Sequence, residues 1–576
     1  MSAPPLSPSS LARPRVLLLG ALVSGTLFSL HAGCGGDSAP PGPESKQIHV
    51  QLLAFNDLHG NLEPPSGSNG TVPTPGADGS TVNVNAGGAA FFATHIEQLR
   101  AQNPNTVVVA AGDLIGASPL ISGIFHDEPT IAVLNQIGLD ITSVGNHEFD
   151  DGRDELLRMQ NGGCHPVDGC QSGTSFPGAK FKYLSANVFT NTATRETLLP
   201  AYEIREFEGV KVAFIGMTLE GTPGIVNPTG IAGLTFQDEA DTVNALVPQL
   251  KAQGVEAIGV LIHEGGYPAA KLYDDCQGVS GPILDIVARL DPEVDFIHSG
   301  HTHEAYNCVI NGRRVTSAAS HGRIISQVDL VLDTGTKDVV STEAHNHVVT
   351  RDAANPTVDT MVKDYAARAA PLANRVIGKT PVDLKIPPRT TIPSGQSGES
   401  LLGNAIADAF LEATRDADKG GAVIAVTNPG GVRADIPAGD ITYGQAYTVQ
   451  PFANSVTTLT LTGAQVHEML EQQFQGTSTR ILQVSAGFTY SWSASAPVGK
   501  KVDPASIRLN GVALDPAATY RVTQTNYLAA GGDGFSVFTQ GQDLRTGPID
   551  IDAFATYLEA HNPLSPPTDK RITVIP

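Results

Sequence analysis

Five short motifs rich in Asp, His and Asn follow one another in the first half of the sequence. They are Asp57-Leu58-His59, Gly112-Asp113, Gly145-Asn146-His147-Glu148, the single His263, and Gly300-His301-Thr302-His303. These residue types bind transition metals. An Asp-x-His pair at a strand end presents a carboxylate oxygen and an imidazole nitrogen to one cation, because alternate residues point to the same side. Asp113 has two carboxylate oxygens and can bridge two cations. Asn146 offers a neutral carbonyl oxygen, and His263, His301 and His303 offer nitrogen. A mixed N/O set suits two divalent transition metals such as Zn, Mn, Fe or Co better than Ca or Mg. Two such ions about 3.5–4 Å apart clamp a phosphoryl group and lower the pKa of a bound water toward about 7. The hydroxide so formed attacks phosphorus in line. His147 stands beside a ligand position and can face a substrate, where it stabilises developing charge or protonates a leaving oxygen. Asp150, three residues on, can fix the orientation of that imidazole. A lone Asp-x-His is usually a turn and a lone Gly-Asp says little; the ordered set of five carries the reading. His165, His298 and His321 fit no such pattern and read as surface or core histidines.

The elements that must hold these residues are also visible. Apolar runs at Val50–Phe55, Thr106–Ala111, Ile141–Val144, Val210–Ile215, Ala257–Ile262 and Val294–His298 alternate with helical stretches. Each ends in Gly, Asp, Asn or His. Buried strands with polar residues at their carboxyl ends predict an α/β domain. Pro64 to Asn85 reads as a long Gly/Pro/Ser/Thr loop inserted at the surface. The texture changes near residue 350. Thr357 to Arg375 reads as an amphipathic helix, followed by Pro/Thr/Ser-rich sequence to Gln396. A helix at Leu401–Arg415, a strand at Ala422–Thr427 and further α/β pattern complete the chain. The second domain, about 200 residues, is long enough for its own core.

Length and composition agree with this division. The chain has 576 residues, enough for roughly two to four domains. Hydrophobic residues make up 41% and charged residues 16%, which places the bulk of the chain among globular proteins. The net charge of −22 argues against nucleic-acid polymers and anionic lipid as nonspecific partners. It does not exclude a small anionic substrate, because metals and local arginines reverse the potential inside a cleft. No Gly-x-x-x-x-Gly-Lys-Ser/Thr occurs, so a P-loop phosphotransferase is excluded.

Arg13 and Arg15 precede an apolar run, Val16 to Leu30, and then His31-Ala32-Gly33-Cys34. Residues 1–33 read as an export signal and 34–46 as a tether. Cys34 after Ala-Gly resembles a bacterial lipobox, which would make it a lipidation site and the lipid the only membrane attachment. An ordinary cleaved signal is the alternative. Either reading puts the mature chain in the periplasm or at the cell surface. The four other cysteines, Cys164, Cys170, Cys276 and Cys308, suit disulfides in an exported chain. A local bridge between Cys164 and Cys170 leaves Cys276–Cys308 as the second; a zinc site is the alternative, with poor spacing.

The ordered motifs resemble those of the calcineurin-like metallophosphoesterases. With the second half included, the chain is similar to the 5′-nucleotidase family over nearly its whole mature length. The resemblance implies an α/β (α+β) fold: an N-terminal four-layer metallophosphoesterase β-sandwich flanked by helices over 47–350, a linker helix over 351–376, and a smaller α/β substrate-binding domain over 377–576. It implies that Asp57, His59, Asp113 and His303 hold one metal, and that Asp113, Asn146, His263 and His301 hold the other. It makes His147 and Asp150 a catalytic dyad. Glu399-Ser400-Leu401-Leu402-Gly403-Asn404 resembles the opening motif of the family's C-terminal domain. Asn428-Pro429-Gly430-Gly431-Val432-Arg433 resembles the next, where the glycines admit a ligand to the backbone and Asn428 and Arg433 meet a phosphate. In the family two aromatics sandwich a base and an Asp contacts the nucleoside; here those positions are Phe452, Tyr527 and Asp533. Stacking tolerates different bases.

Two departures bear on the substrate. Tyr527 stands where the best-known relatives have Phe. Gly398 stands where some relatives have a phosphate-binding Arg, and Arg389 is the nearest candidate to replace it. The resemblance implies an exported hydrolase of nucleotides, releasing nucleoside and phosphate. A 2′,3′-cyclic-nucleotide phosphodiesterase or a UDP-sugar or NAD pyrophosphatase with the same metals is the alternative, and a surface nucleotide-binding lipoprotein is the reading without turnover. Relatives rotate their two domains against each other, and the helix before Arg375 is the expected hinge.

Overall fold

The computed structural model describes residues 45–576 apart from 66, 77, 172–173, 227–229, 270–271, 390, 453, 476–478 and 567. The signal, Cys34 and most of the tether lie outside the described residues. No helix among the described residues is long and apolar enough to cross a membrane.

Two mixed six-stranded sheets build the N-terminal half. Edge to edge, the first runs Val339–Val348, Ile324–Asp333, Gln47–Phe55, Thr106–Ala111, Ile141–Ser143, Lys182–Leu184. The second runs Ala305–Ile310, Arg313–Ala318, Phe296–Ser299, Ala257–Ile262, Val210–Met217, Tyr202–Phe207. The apolar runs of the sequence supply the central parallel pairs of both sheets.

Period-two alternation explains the layering. Ile48, Val50, Leu52 and Ala54 point inward and share a core with Val107, Val109, Val212, Phe214, Leu261 and Phe296, which fills the space between the sheets. The alternate residues Leu53 and Phe55 point outward onto helices Ala89–Arg100 and Glu128–Ile137. Ala213, Ile215, Ile258 and Val260 do the same for helices Glu239–Lys251 and Pro282–Arg289 on the far face. The result is helix, sheet, sheet, helix, the four layers expected.

Helix Pro356–Ala373 begins at Asn355, whose side chain accepts the amides of Thr357 and Val358. It packs against Ala89–Arg100 and, further along, against Tyr443–Val449. Beyond it a five-stranded sheet runs Gln483–Val484, Ile424–Thr427, Thr519–Thr525, Ser455–Thr462, Gln542–Ile549. Helices Leu401–Thr414 and Asp550–Ala560 cover one face and Gly463–Gln472 the other. The Glu399 motif is structural. Ser400 caps its helix through the Gly403 amide. The Glu399 carboxylate binds the amides of Arg571 and Ile572 and the side chain of Asn404. Arg571, 2% exposed, closes the same seam with two bonds of 2.8 and 2.9 Å to Asp408.

Disulfides join Cys164 to Cys170 and Cys276 to Cys308, as the sequence suggests. The stretch Pro64–Asn85 is not simply a loop. Thr71–Pro75 and Thr81–Asn85 pair as an antiparallel hairpin, in which Val72, Val82 and Val84 alternate with Thr, Pro and Asn. Arg351 pins its base through the carbonyls of Pro65 and Ala86, both at 2.6 Å. The polar stretch before Gln396 likewise contains a strand, Val376–Thr380, paired with Gly439–Thr442.

Phe410 is fully buried in the C-terminal core. Phe410→Ala is expected to cost about 3–5 kcal/mol, read as a lowered urea midpoint for the C-terminal part.

Candidate metal centre and adjoining pocket

The carboxyl ends of the two sheets' parallel strands meet at one place, and all five motifs lie there. Asp57 and His59 leave Gln47–Phe55, Asp113 leaves Thr106–Ala111, and Asn146 leaves Ile141–Ser143. His263 leaves Ala257–Ile262, and His301 and His303 leave Phe296–Ser299. Such tight reversals strain the backbone. Asp57, His59, Asp113, His301 and His303 all have φ between 47° and 70°, a region that non-glycine residues enter rarely. The glycines of the motifs allow the loops to close. A Cβ on Gly145 would lie 2.2 Å from Asp113 Oδ1, and one on Gly112 (φ 79°) would lie 2.5 Å from the Gly145 amide.

Two donor clusters result. In one, His303 Nε2 lies 3.3 Å from Asp57 Oδ1 and 3.0 Å from His59 Nε2. In the other, Asn146 Oδ1 lies 3.1 Å from His263 Nε2 and 3.0 Å from His301 Nδ1. Asp113 joins them: its Oδ2 is 3.0 Å from His263 Nε2 and 3.6 Å from His59 Nε2. The donor chemistry fits cations. His59 Nδ1 donates to the Gly116 carbonyl at 2.9 Å, and His263 Nδ1 to the Ala111 carbonyl at 2.7 Å. In the neutral rings each Nε2 lone pair is therefore turned to the centre, the usual device for orienting a metal-binding imidazole.

Electrostatics agree. Burial, helped by neighbouring His303 and His147, holds His59 well below the ordinary imidazole range, and burial with His263 nearby takes His301 down to about 4. Burial opposes charge on His263 too, but Asp113 and Asp57 outweigh it and raise it to about 10. Asp113 and Asp57 thus favour a proton on His263.

His147 lies just off the ligands. Its amide donates to Asp113 Oδ1 at 2.9 Å, and its Nδ1 meets Asp150 Oδ2 at 2.8 Å. Burial disfavours its charge, yet Asp150 and Asp113 raise its pKa overall. The Phe452 ring, from the C-terminal part, stacks on His147 at 5.7 Å and 14°. One cavity of about 320 Å³ is lined by Asn146, His147 and His301 on one side and by Asn428, Arg433, Phe452, Tyr527 and Asp533 on the other. Asn428 donates to Asp533 at 2.7 Å, while the Tyr527 hydroxyl donates to Asp533 Oδ1 at 3.0 Å and accepts the Asp533 amide at 2.9 Å. The hydroxyl that distinguishes Tyr527 from Phe thus fixes the pocket carboxylate. Arg433 is half-buried and lies near enough to Asp150, Asp113 and Asp57 to feel their charge. The seven candidate ligands, His147, Asp150, Asn428, Arg433, Phe452, Tyr527 and Asp533 are therefore brought to one cavity or to the donor clusters beside it.

Arg389 does not reach into the cavity lining. It donates to the carbonyls of Val432 and Arg433 at 2.8 and 3.2 Å and props their loop from behind. His298 is a core residue bonded to Thr316 at 2.9 Å. His321 lies against the centre, its ring 5.7 Å from that of His303 and 6.1 Å from that of His59. Glu148 has a role that its sequence motif does not announce. It is buried and accepts the amides of Asp113, Leu114 and Gly145 at 2.9, 2.8 and 2.6 Å, so one carboxylate ties two ligand loops together. Its position next to Asn146-His147 is the available signal.

Glu148→Gln places an amide among three N–H donors. It is expected to weaken metal binding about 10–100-fold in a titration, with far-UV circular dichroism unchanged. A cation entering the centre must also displace the His263 proton. Metal binding should release protons at pH 7 and tighten as pH rises, seen as a buffer-dependent enthalpy in calorimetry; no buffer dependence would contradict this protonation state.

Comparison with known proteins places the geometry. Residues 50–305 match the family model for calcineurin-like phosphoesterase and residues 376–540 that for the 5′-nucleotidase C-terminal domain. The chain is 34% identical to Endonuclease YhcR of Bacillus subtilis over 89% of its own length, and spans 40% of that protein. It is 32% identical to Cell wall protein Lmo0130 of Listeria monocytogenes, covering 93% of this chain and 70% of that one. Among solved structures, the 5′-nucleotidase precursor of Thermus thermophilus superposes with a TM-score of 0.72 at 28% identity, covering 92% of this chain and 99% of that one. The chain belongs to the 5′-nucleotidase family of metal-dependent phosphoester hydrolases, with a calcineurin-like phosphoesterase part followed by a 5′-nucleotidase C-terminal part.

Proposed function

We propose that this chain hydrolyses nucleotides to nucleoside and phosphate at a dinuclear centre. The observation that carries the reading is the shared cavity. Metal donors and the His147–Asp150 pair form one wall, and an aromatic, amide and carboxylate set forms the other. Phe452 and Tyr527 offer π-faces to a base, and Asp533, held by Asn428 and Tyr527, offers acceptors to a nucleoside. Arg433 brings positive charge toward the donor clusters, where a phosphate would sit.

Asp57, His59, Asp113 and His303 would hold one divalent transition metal, and Asp113, Asn146, His263 and His301 the other. Zn, Mn, Fe or Co suits these donors. Bound there, the ions supply an activated water and charge to neutralise the phosphoryl oxygens. The protein's residues do the remainder. Arg433 orients the phosphate. The Asp150 carboxylate keeps Nδ1 of His147 protonated, so that Nε2 can donate to the oxygen that leaves with the nucleoside. The Phe452 ring lies nearly parallel to that imidazole, its centroid 5.7 Å away. In this reading 47–350 carries the chemistry, 377–576 selects the substrate, and 351–376 links them. Its resemblance to a protein named for the cell wall supports export, and the Ala-Gly-Cys sequence makes Cys34 the proposed anchoring residue.

A specific observation favours a second reading of the substrate. With Arg389 committed to backbone carbonyls, the cavity has less cationic charge for a terminal phosphate. Cyclic diesters, UDP-sugars and NAD then compete with monophosphates.

Purified Mn²⁺- or Zn²⁺-loaded protein tested on AMP, 2′,3′-cyclic AMP, UDP-glucose and NAD decides between the two readings. AMP turning over fastest supports the first, and no hydrolysis of any of the four defeats both. His147→Asn should lower kcat about 10²–10⁴-fold with metal content retained. Phe452→Ala should raise KM for nucleotides about 5–150-fold, the loss of one stacked base, and spare p-nitrophenyl phosphate.

A further inference from the structure

A second group of metal-binding side chains lies outside this centre, and no step above uses it. We infer that His126, His165 and Asp168, with Glu155 beside them, form an additional binding site for a divalent transition metal of the zinc class. The His126 and His165 rings stack with centroids 3.7 Å apart and planes within 9°. Asp168 Oδ2 lies 2.8 Å from His126 Nε2 and 3.4 Å from His165 Nδ1. His126, His165 and Glu155 each bring a ligand atom within 4.8 Å of the others. One carboxylate oxygen thus faces two imidazole nitrogens, with a second carboxylate in reach. Two nitrogens with one or two carboxylates suit zinc-class ions and are poor for Ca²⁺ or Mg²⁺, which take oxygen.

The segments that carry the ligands are held in place before any ion arrives. His165 and Asp168 sit in the loop closed by Cys164–Cys170, where His165 and Gly169 also exchange backbone bonds of 3.1 and 2.9 Å. His126 adopts φ 52° next to Asp127 at φ 57°. The Asp127 carboxylate fixes that turn by accepting Ser122 Oγ at 2.6 Å and the Gly116 amide at 3.2 Å. Glu155 is oriented by Arg158, bonded at 2.8 and 2.6 Å, and each of its oxygens keeps a further lone pair. Ligand side chains remain within reach of solvent: His126 is 22% exposed, His165 17% and Asp168 54%. Coordination by His165 Nδ1 would replace the 3.1 Å bond it accepts from the Asp168 amide, a modest loss beside a metal–nitrogen bond. An ion here would cross-link the disulfide loop to the turn after helix Leu120–Gly123. Gln171, the residue after that loop, accepts a bond of 2.8 Å from Arg368 of helix Pro356–Ala373.

The test counts zinc. The full chain is exposed to excess Zn²⁺, desalted, and its metal measured by inductively coupled plasma mass spectrometry. His126→Ala/His165→Ala should hold one equivalent fewer than the wild type. Equal zinc in the two proteins, with matching thermal melts, overturns the inference. Should the double variant melt early, Asp168→Asn replaces an exposed side chain without changing its size. It should weaken one class of zinc at least tenfold in chelator competition, and an unchanged competition curve overturns the inference equally. Neither readout depends on nucleotide turnover, so failure here is distinguishable from failure of the proposed activity.

Discussion

Two buried carboxylates set the terms for the rest of this structure. Asp57 and Asp113 are both at most 1% exposed and close enough to feel each other's charge. Burial opposes their ionisation, yet His303 beside Asp57 and His263 beside Asp113 outweigh it and lower both pKa values. An isolated buried charge would be neutralised or would unfold the site. The fold instead surrounds the pair with imidazoles and with backbone N–H groups: His301 donates to Asp57 at 3.0 Å and His147 to Asp113 at 2.9 Å. The strained φ values and close-packed glycines follow from bringing several loops around two acids.

The same acids reach across to the C-terminal part. Arg433 feels Asp150, Asp113 and Asp57 together, and Phe452 lies flat on His147. The pocket wall and the donor clusters therefore line one cavity. Tyr527 and Asn428 both bond to Asp533, which fixes its carboxylate in the far wall.

Much of this is legible in the sequence, for a physical reason. Metal donors are defined by side-chain identity, and strands buried on both faces show as unbroken apolar runs; the runs Thr106–Ala111 and Ala257–Ile262 match their strands to the residue. What is not legible depends on direction. Glu148 reads as one more acid, because its task is set by three amides that converge only after folding. Arg389 reads as a cation for the phosphate, but the path of its loop turns it to carbonyls. His321 carries no motif, and only the return of the chain after Arg313–Ala318 brings it to His303. The hairpin over 71–85 is hidden because its valines are few and its partners polar.

The Glu399–Arg571 seam has a bearing on how the chain assembles. Glu399 lies early in the C-terminal part, yet among the described residues its carboxylate bonds to the amides of 571 and 572 and to Asn404 nearby. The N-terminal sheets have no such dependence, since their last strand ends at Val348. A growing chain can complete the metal-donor layers while more than a third of its residues are still to be made. The Glu399 seam can close only once residues 571 and 572 are made, across a long-range pairing that is slow to form. During that interval the donor clusters stand ready beside an unfinished partner, and ions can reach them before the wall that will cover them exists.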